Sequence, residues 1–365
     1  MKKITILYDY TAYTYRWLSY LLVCKKQFRE NGYVLCFPKI FNGLIKGIIA
    51  KFDIQKEKNK KIKFSDIIMI AVHPSNYLYE NKKEFILWLT NLRQYCNKLI
   101  WLDTSDSSGT TFFEVLPYVD KYLKKQLYKD KQMYNLKMKN DRLYCEFYKN
   151  FSNDDNESHN ININNDDYNK IGLSWNIGLS NLFEDNRLRF LLNYKRKHNN
   201  FCFIEPSLLR TYDLYFNGTL WNNSVGYQRN LVIDKIEKST LNHSEVRIKV
   251  SKKEYIKNIK NSKALVSPFG WGEICKRDFE SIIYGTLLIK PSMDHLETFP
   301  NYFIPYETYI PLDWNIDNLD SVRNVFCNQK KYFSIINNLK EIFLYYYTIE
   351  GKRDFVKHIL TNISE

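Results

Sequence analysis

The sequence predicts an α/β protein built from two doubly wound domains that face each other across a cleft. Strand-like apolar runs alternate with segments of helical spacing in two separate stretches, one before about residue 150 and one after about residue 200. The strand candidates are continuous apolar runs, the pattern of strands covered on both faces by helices in a parallel sheet. At 365 residues the chain is also longer than one core comfortably fills, because single cores stop growing at a few hundred residues.

Taken in order, Ile4 to Tyr8 is a short run of β-formers, and YTYRWLSYLLVCKKQFRENG, after the turn-capable Asp9, repeats its apolar residues at helical spacing. Gly32 closes that helix and YVLCF follows as a strand, which makes a βαβ unit. DIIMIAVH (66–73) and KLIWL (98–102) are buried-strand candidates around the helical NKKEFILWLTNLRQYCN. Residues 151–170, FSNDDNESHNININNDDYNK, have little to bury and predict a mobile loop. NRLRFLLNYKRKHN reads as a helix, and the alternation then begins again. TYDLYFNG, VRIKV, ALVSPF and TLLIK read as strands, and VGYQRNLVIDKIEK and SKKEYIKNIKNSK as helices. The closing KKYFSIINNLKEIFLYYYTIEGKRDFVKHILTNI is helical by spacing and is expected to pack back on the first domain. The expected units are 1–200, 201–335, and crossing helices over 336–365.

The 54 Lys and Arg against 40 Asp and Glu leave a net charge of +14. Such a surface attracts phosphates, anionic lipid or nucleic acid. The lysines are scattered over many elements and no nucleic-acid motif accompanies them, so phosphorylated substrates and membrane surfaces are the better fit. No window reaches the roughly 18 apolar residues of a membrane span, and MKKITILYDY runs into a strand-like segment, so a cytoplasmic location is expected. The seven cysteines never form C-x-x-C and read as reduced packing residues. The chain has no D-x-D, H-E-x-x-H, P-loop or G-x-G-x-x-G, and no metal or cofactor is expected.

In doubly wound folds ligands bind outside the carboxyl ends of the strands, which selects the loops to inspect. In VSPFGWGEICKRDFESIIYGTLLIKP (266–291), Gly270 and Gly272 let backbone approach a ligand before a helix that starts near Ile274 and offers free N–H groups to an anion. Lys276 and Arg277 lie in its first turn, where a cation opposes the helix dipole, so a ligand phosphate would compensate them. Glu280 follows on the same helix, where a carboxylate can accept both hydroxyls of a ribose. Asn217 and Gly218 open the loop before the next helix, and Arg229 on that helix suits a diphosphate through paired, permanently charged donors. Asp294, His295, Glu297 and Thr298 lie just past another strand, and His295 is a donor-proximal candidate. In the first domain, Asp103 and Asp106 enter a Ser/Thr/Gly-rich turn where a carboxylate can grip sugar hydroxyls or take a proton from one. The same Asp-Ser-Ser-Gly also suits a turn or helix cap. His73 and Asp9, also at strand ends, are poorer base candidates.

The pattern FGxGE…RDFE…G…LIKP resembles the nucleotide-sugar-binding signature of GT-B glycosyltransferases, nearest to the exostosin-like and family-4-like enzymes that build bacterial surface polysaccharides. There, a glutamate followed five residues later by glycine and then by an apolar strand holds the donor ribose, and Glu280 and Gly285 match it. The resemblance implies two Rossmann-like domains, a metal-independent transferase of the hexosyl or heptosyl type and a role in capsule or other surface polysaccharide synthesis. It further implies a UDP- or GDP-sugar donor bound by the second domain and a glycan or lipid-linked acceptor entering from the first, with peripheral membrane association and no nucleic acid. Retaining members carry a second glutamate eight positions before the ribose glutamate; that position here is Gly272, and Glu273 is the nearest acid. Glu273 joins Asp103 and Asp106 as a catalytic candidate. An epimerase or a phosphate-linked group transferase of the same architecture, and a basic nucleic-acid-binding protein, are the alternative readings.

Overall fold

The computed structural model describes residues 1–9, 11–37, 63–73, 82–152, 158–180 and 201–364. Two parallel sheets with flanking helices dominate it, as expected. The first has six strands in the order β2-β1-β3-β4-β5-β7. These are β1 (Lys2–Tyr8), β2 (Tyr33–Cys36), β3 (Ser65–Ala71), β4 (Cys96–Leu102), β5 (Lys121–Lys124) and β7 (Ile171–Leu173). Every pairing in it is parallel. The second sheet has the order β12-β10-β9-β8, from β8 (Tyr212–Tyr215), β9 (Ser262–Val266), β10 (Leu287–Pro291) and β12 (Ile310–Leu312), again all parallel.

Each sheet is covered because its strands are apolar on both sides. Ile4, Ile6 and Tyr8 pack with Trp17, Leu18, Leu21 and Phe28 of the helices Ala12–Val23 and Lys25–Glu30 on one face. On the other, Ile68, Ile70, Leu99 and Trp101 pack with Phe85, Trp88 and Leu89 of Lys82–Leu92. In the second sheet Leu214, Val266 and Ile289 bury Val232, Ile233 and Ile236 of the helix Ser224–Lys238. The C-terminal stretch forms two helices, Gln329–Tyr345 and Ile349–Ser364. The second returns to the first sheet, where Phe355, Val356, Ile359 and Ile363 join the core of Ile4 and Trp17 and the Lys98 ammonium donates to the Ile363 carbonyl at 2.8 Å. Trp17 and Trp175 stack at 4.7 Å and donate their indole N–H groups to each other's carbonyls, so both are buried with their polar atoms satisfied.

Three elements differ from expectation. VRIKV is not a strand: Leu214 bridges His243 instead, and Arg247 is drawn outward to Asp234 and Glu237 of the preceding helix. The part of the Asn/Asp-rich segment after 157 is packed. The Asp141 carboxylate accepts from the Ser158 hydroxyl at 2.7 Å and from His159 N at 2.9 Å, and buried Asn160 accepts from both N and Oγ1 of Thr111. A short polar side chain can satisfy buried backbone as well as solvate a loop, which composition does not reveal. The helix expected near Ile274 begins at Lys276. The helix expected in NRLRFLLNYKRKHN and the residues 74–76 lie outside the described residues.

The two sheets belong to lobes that touch. β6 (Gln126–Tyr128) of the first lobe pairs antiparallel with β11 (Leu296–Thr298) of the second, with Leu296 opposite Tyr128 and Thr298 opposite Gln126. Among the described residues no helix is long and apolar enough to cross a membrane.

Candidate functional site

The glycine loop after β9 is held from three sides. Its four successive carbonyls each receive a side-chain donor: Pro268 from the Arg277 guanidinium at 2.9 Å, Phe269 from Arg229 at 2.9 Å, Gly270 from the Tyr144 hydroxyl at 2.6 Å and Trp271 from Arg142 at 2.9 Å. The Phe269 N–H donates to Gln228 at 2.8 Å. Arg229 and Gln228 come from the helix Ser224–Lys238, whose N-cap Asn223 accepts from Gly226 N; Tyr144 and Arg142 come from the first lobe.

Two glycines lie close against these arginines. A Cβ on Gly218 would stand 3.1 Å from an Arg277 nitrogen, and one on Gly270 would stand 2.8 Å from an Arg229 nitrogen. Arg229 is 5% exposed and lies 4.3 Å above the Trp221 ring; the half-buried Arg277 lies 5.2 Å from the Phe216 ring. Among the described residues neither guanidinium forms an ion pair with a carboxylate. Burial, and then the nearby Arg277 charge, push Arg229 down to about 10. The Arg277 Nε is buried and makes no hydrogen bond among the described residues. Two like charges drawn together beside apolar rings, with donor capacity to spare, form a ready receptor for an anion.

Glu280 lies on the same helix, Lys276–Tyr284, with its side chain 14% exposed. It accepts from the Tyr255 hydroxyl at 2.7 Å and lies 3.9 Å from the Lys276 ammonium. Asn217 is turned to the Ile248 carbonyl at 2.8 Å. The helix start is less open than expected: the Asp278 carboxylate accepts from Cys275 N at 2.8 Å and pairs with Lys290 at 3.1 Å, both side chains being buried.

The three catalytic candidates are separated by their surroundings. Asp103 is fully buried, 2.7 Å from the Lys124 ammonium and accepting from Tyr122 and from Ser105 N. Burial alone would raise its carboxyl, but Lys124 and the Ser105 donors outweigh that and hold it below the ordinary carboxylate range. Glu273 is also fully buried and ties the lobes together, accepting from Ser108 N at 3.0 Å, Ser108 Oγ at 2.6 Å and Gln126 at 3.3 Å. Neither carboxylate is open to a substrate in this arrangement. Asp106 is about half exposed, accepts from the Tyr13 hydroxyl and lies 3.5 Å from the buried Lys125 ammonium. Its carbonyl packs on Gly272 so closely that a Cβ there would sit 2.0 Å away, so Asp106 stands directly beside the glycine loop.

His295 is largely buried among Tyr128, Phe269 and Trp314, and its Nε2 makes no hydrogen bond among the described residues. Burial pushes it down to about 4 against the pull of Glu273 and Asp294. Next to it a cleft of about 380 Å³ is lined by Lys129, Asp294, Glu297 and Thr298 among others. The structure thus gathers Gly218, Arg229, Gly270, Gly272, Arg277 and Asp106 around one loop, with Glu280 along its helix. Arg142, Tyr144 and Gln228 were not legible as site residues, because their partners are backbone carbonyl and amide groups far away in sequence.

No family model matches the chain, and no curated protein matches it. Among solved structures it is similar to an alpha-glucosyltransferase (AGT) in complex with UDP, at 12% identity over 100% of both chains with a TM-score of 0.48. It is also similar to a glycosyltransferase from Rickettsia africae ESF-5, at 11% identity over 100% of this chain and 98% of that one, with a TM-score of 0.43. A third is the Anabaena protein HepE in complex with UDP-glucose, at 9% identity over 99% and 100% of the two chains, with a TM-score of 0.41. These likenesses are remote, and the chemistry rests on the geometry above.

Proposed function

We propose that the protein is a metal-independent glycosyltransferase that moves a sugar from a nucleoside diphosphate to a hydroxyl of a glycan acceptor. The observation that carries this reading is the Arg229–Arg277 pair, two guanidinium groups brought together beside the glycine loop with no carboxylate of the described residues paired to either. They supply the positive charge that a leaving diphosphate needs, in a partly dry setting where it acts strongly. Glu280, backed by Tyr255, receives the ribose hydroxyls. Asp106 takes the acceptor proton as the acceptor oxygen bonds to the anomeric carbon and the bond from that carbon to the diphosphate breaks, which releases the nucleoside diphosphate. Asp103 and Glu273 hold the turn and the lobe contact that place Asp106 there. The sequence resemblance supports a surface polysaccharide as the acceptor and a basic, peripheral approach to an anionic membrane.

A thermal-shift screen with UDP, GDP, CMP and ADP tests the reading. One nucleoside diphosphate is expected to stabilise the protein, and its sugar conjugate to release free diphosphate when a glycan acceptor is added. Stabilisation by none of them, with salt-sensitive binding to random DNA, contradicts it.

A further inference from the structure

We infer that Trp271 and Trp221 form a stacking platform for a pyranose ring of the acceptor glycan. This rests on the transferase reading. Of the seven tryptophans, Trp17, Trp88, Trp101 and Trp175 are at most 3% exposed, whereas Trp271 is 45% exposed. Its ring lies 5.4 Å from that of Trp221, inclined at 49°. Each indole has a guanidinium against it, Arg229 at 4.3 Å from the Trp221 ring and Arg142 at 5.4 Å from the Trp271 ring. The Arg142 hydrogen bond to the Trp271 carbonyl further fixes the residue, so its exposed ring is held in place. An indole held with its ring partly open to water offers a large, rigid, polarised face for stacking.

Position decides what that surface meets. Successive contacts bring these residues together: Tyr255 meets Glu280, Arg277 lies beside Gly218, Arg229 lies against the Trp221 ring, Trp221 lies against Trp271, and Gly272 lies against Asp106. Trp271 is the chain neighbour of the glycine that packs on Asp106, and Arg142 of the first lobe reaches its carbonyl. The negatively polarised face of an indole attracts the axial C–H edges of a pyranose, so a neutral sugar ring is the ligand whose chemistry fits this place.

Isothermal titration calorimetry of the full chain tests the platform, with maltotriose, chitotriose and mannotriose titrated in the presence of saturating UDP or GDP. At least one trisaccharide is expected to give a saturable binding heat. Trp271→Ala should lose at least tenfold in apparent affinity for it, and Trp271→Phe, which keeps an aromatic face, should recover most of that loss. Nucleotide binding should be unchanged in both variants. No saccharide response in the wild type, equal saccharide affinity in Trp271→Ala, or a Trp271-dependent response to nucleotide alone overturns the inference. Failure of the wild type to bind any nucleotide overturns the transferase reading instead, and nucleotide titration of the same samples tells the two failures apart.

Discussion

The Asp103–Lys124 pair of the first lobe and the Arg229–Arg277 pair of the second treat buried charge differently. In the first, Asp103 and Lys124 are both within 1% of complete burial and 2.7 Å apart, and each side chain finds further partners. In the second, one such pair recurs as Asp278 and Lys290 at 3.1 Å, yet Arg229 and Arg277 lie close by, and among the described residues their hydrogen bonds go to backbone carbonyls. Paired charges need no ligand, since desolvation is offset inside the fold. Like charges without counter-ions carry an unrelieved cost, and such strain concentrates where a ligand is to relieve it. On the proposed reading, the difference separates residues that build the site from residues that meet the ligand.

Breaking the paired side should have the largest effect. Asp103→Ala leaves the Lys124 ammonium buried without its counter-ion, and urea denaturation should show a loss of about 3–5 kcal/mol. Unchanged stability would show that Lys124 has another outlet.

Acid should come next. With His295 at about 4 when folded and 6.5 when unfolded, the unfolded chain binds the extra proton between those values, so stability should fall as pH drops through that window. The His295 share amounts to about 3 kcal/mol by pH 4, and His295→Gln should remove it from the denaturation profile.

On the unpaired side, Arg277→Gln should weaken nucleoside diphosphate binding by about 2 kcal/mol, roughly thirtyfold, while shifting the urea midpoint little. Glu280→Ala is the mildest. It should cost about 1 kcal/mol, roughly fivefold, and remove any preference for a ribose over a 2′-deoxyribose nucleotide in calorimetric titration.

The sheets were legible because strands such as DIIMIAVH and KLIWL are apolar on both faces, and a parallel sheet has few other ways to be written. VRIKV, which alternates apolar and charged residues, read as a strand and is not one; the Asp234 and Glu237 carboxylates that draw Arg247 outward are visible only once the helix is folded. Arg277 and Arg229 were candidates from the loops and helices that follow strand ends, and Glu280 from its spacing to Gly285. The separation of Asp103, Glu273 and Asp106 was not: all three are acids in or beside polar turns, and only long-range contacts to Lys124, Ser108 and Tyr13 set them apart.

Isothermal titration with UDP and GDP, each paired with its monophosphate, tests the unpaired arginines most directly. The diphosphate of one base should bind at least about tenfold more tightly than its monophosphate, and Arg277→Gln should erase that advantage while leaving monophosphate binding near its wild-type value. Equal affinity for mono- and diphosphates in the wild type, or a diphosphate preference that survives in Arg277→Gln, would contradict the assignment of this pair as the diphosphate site.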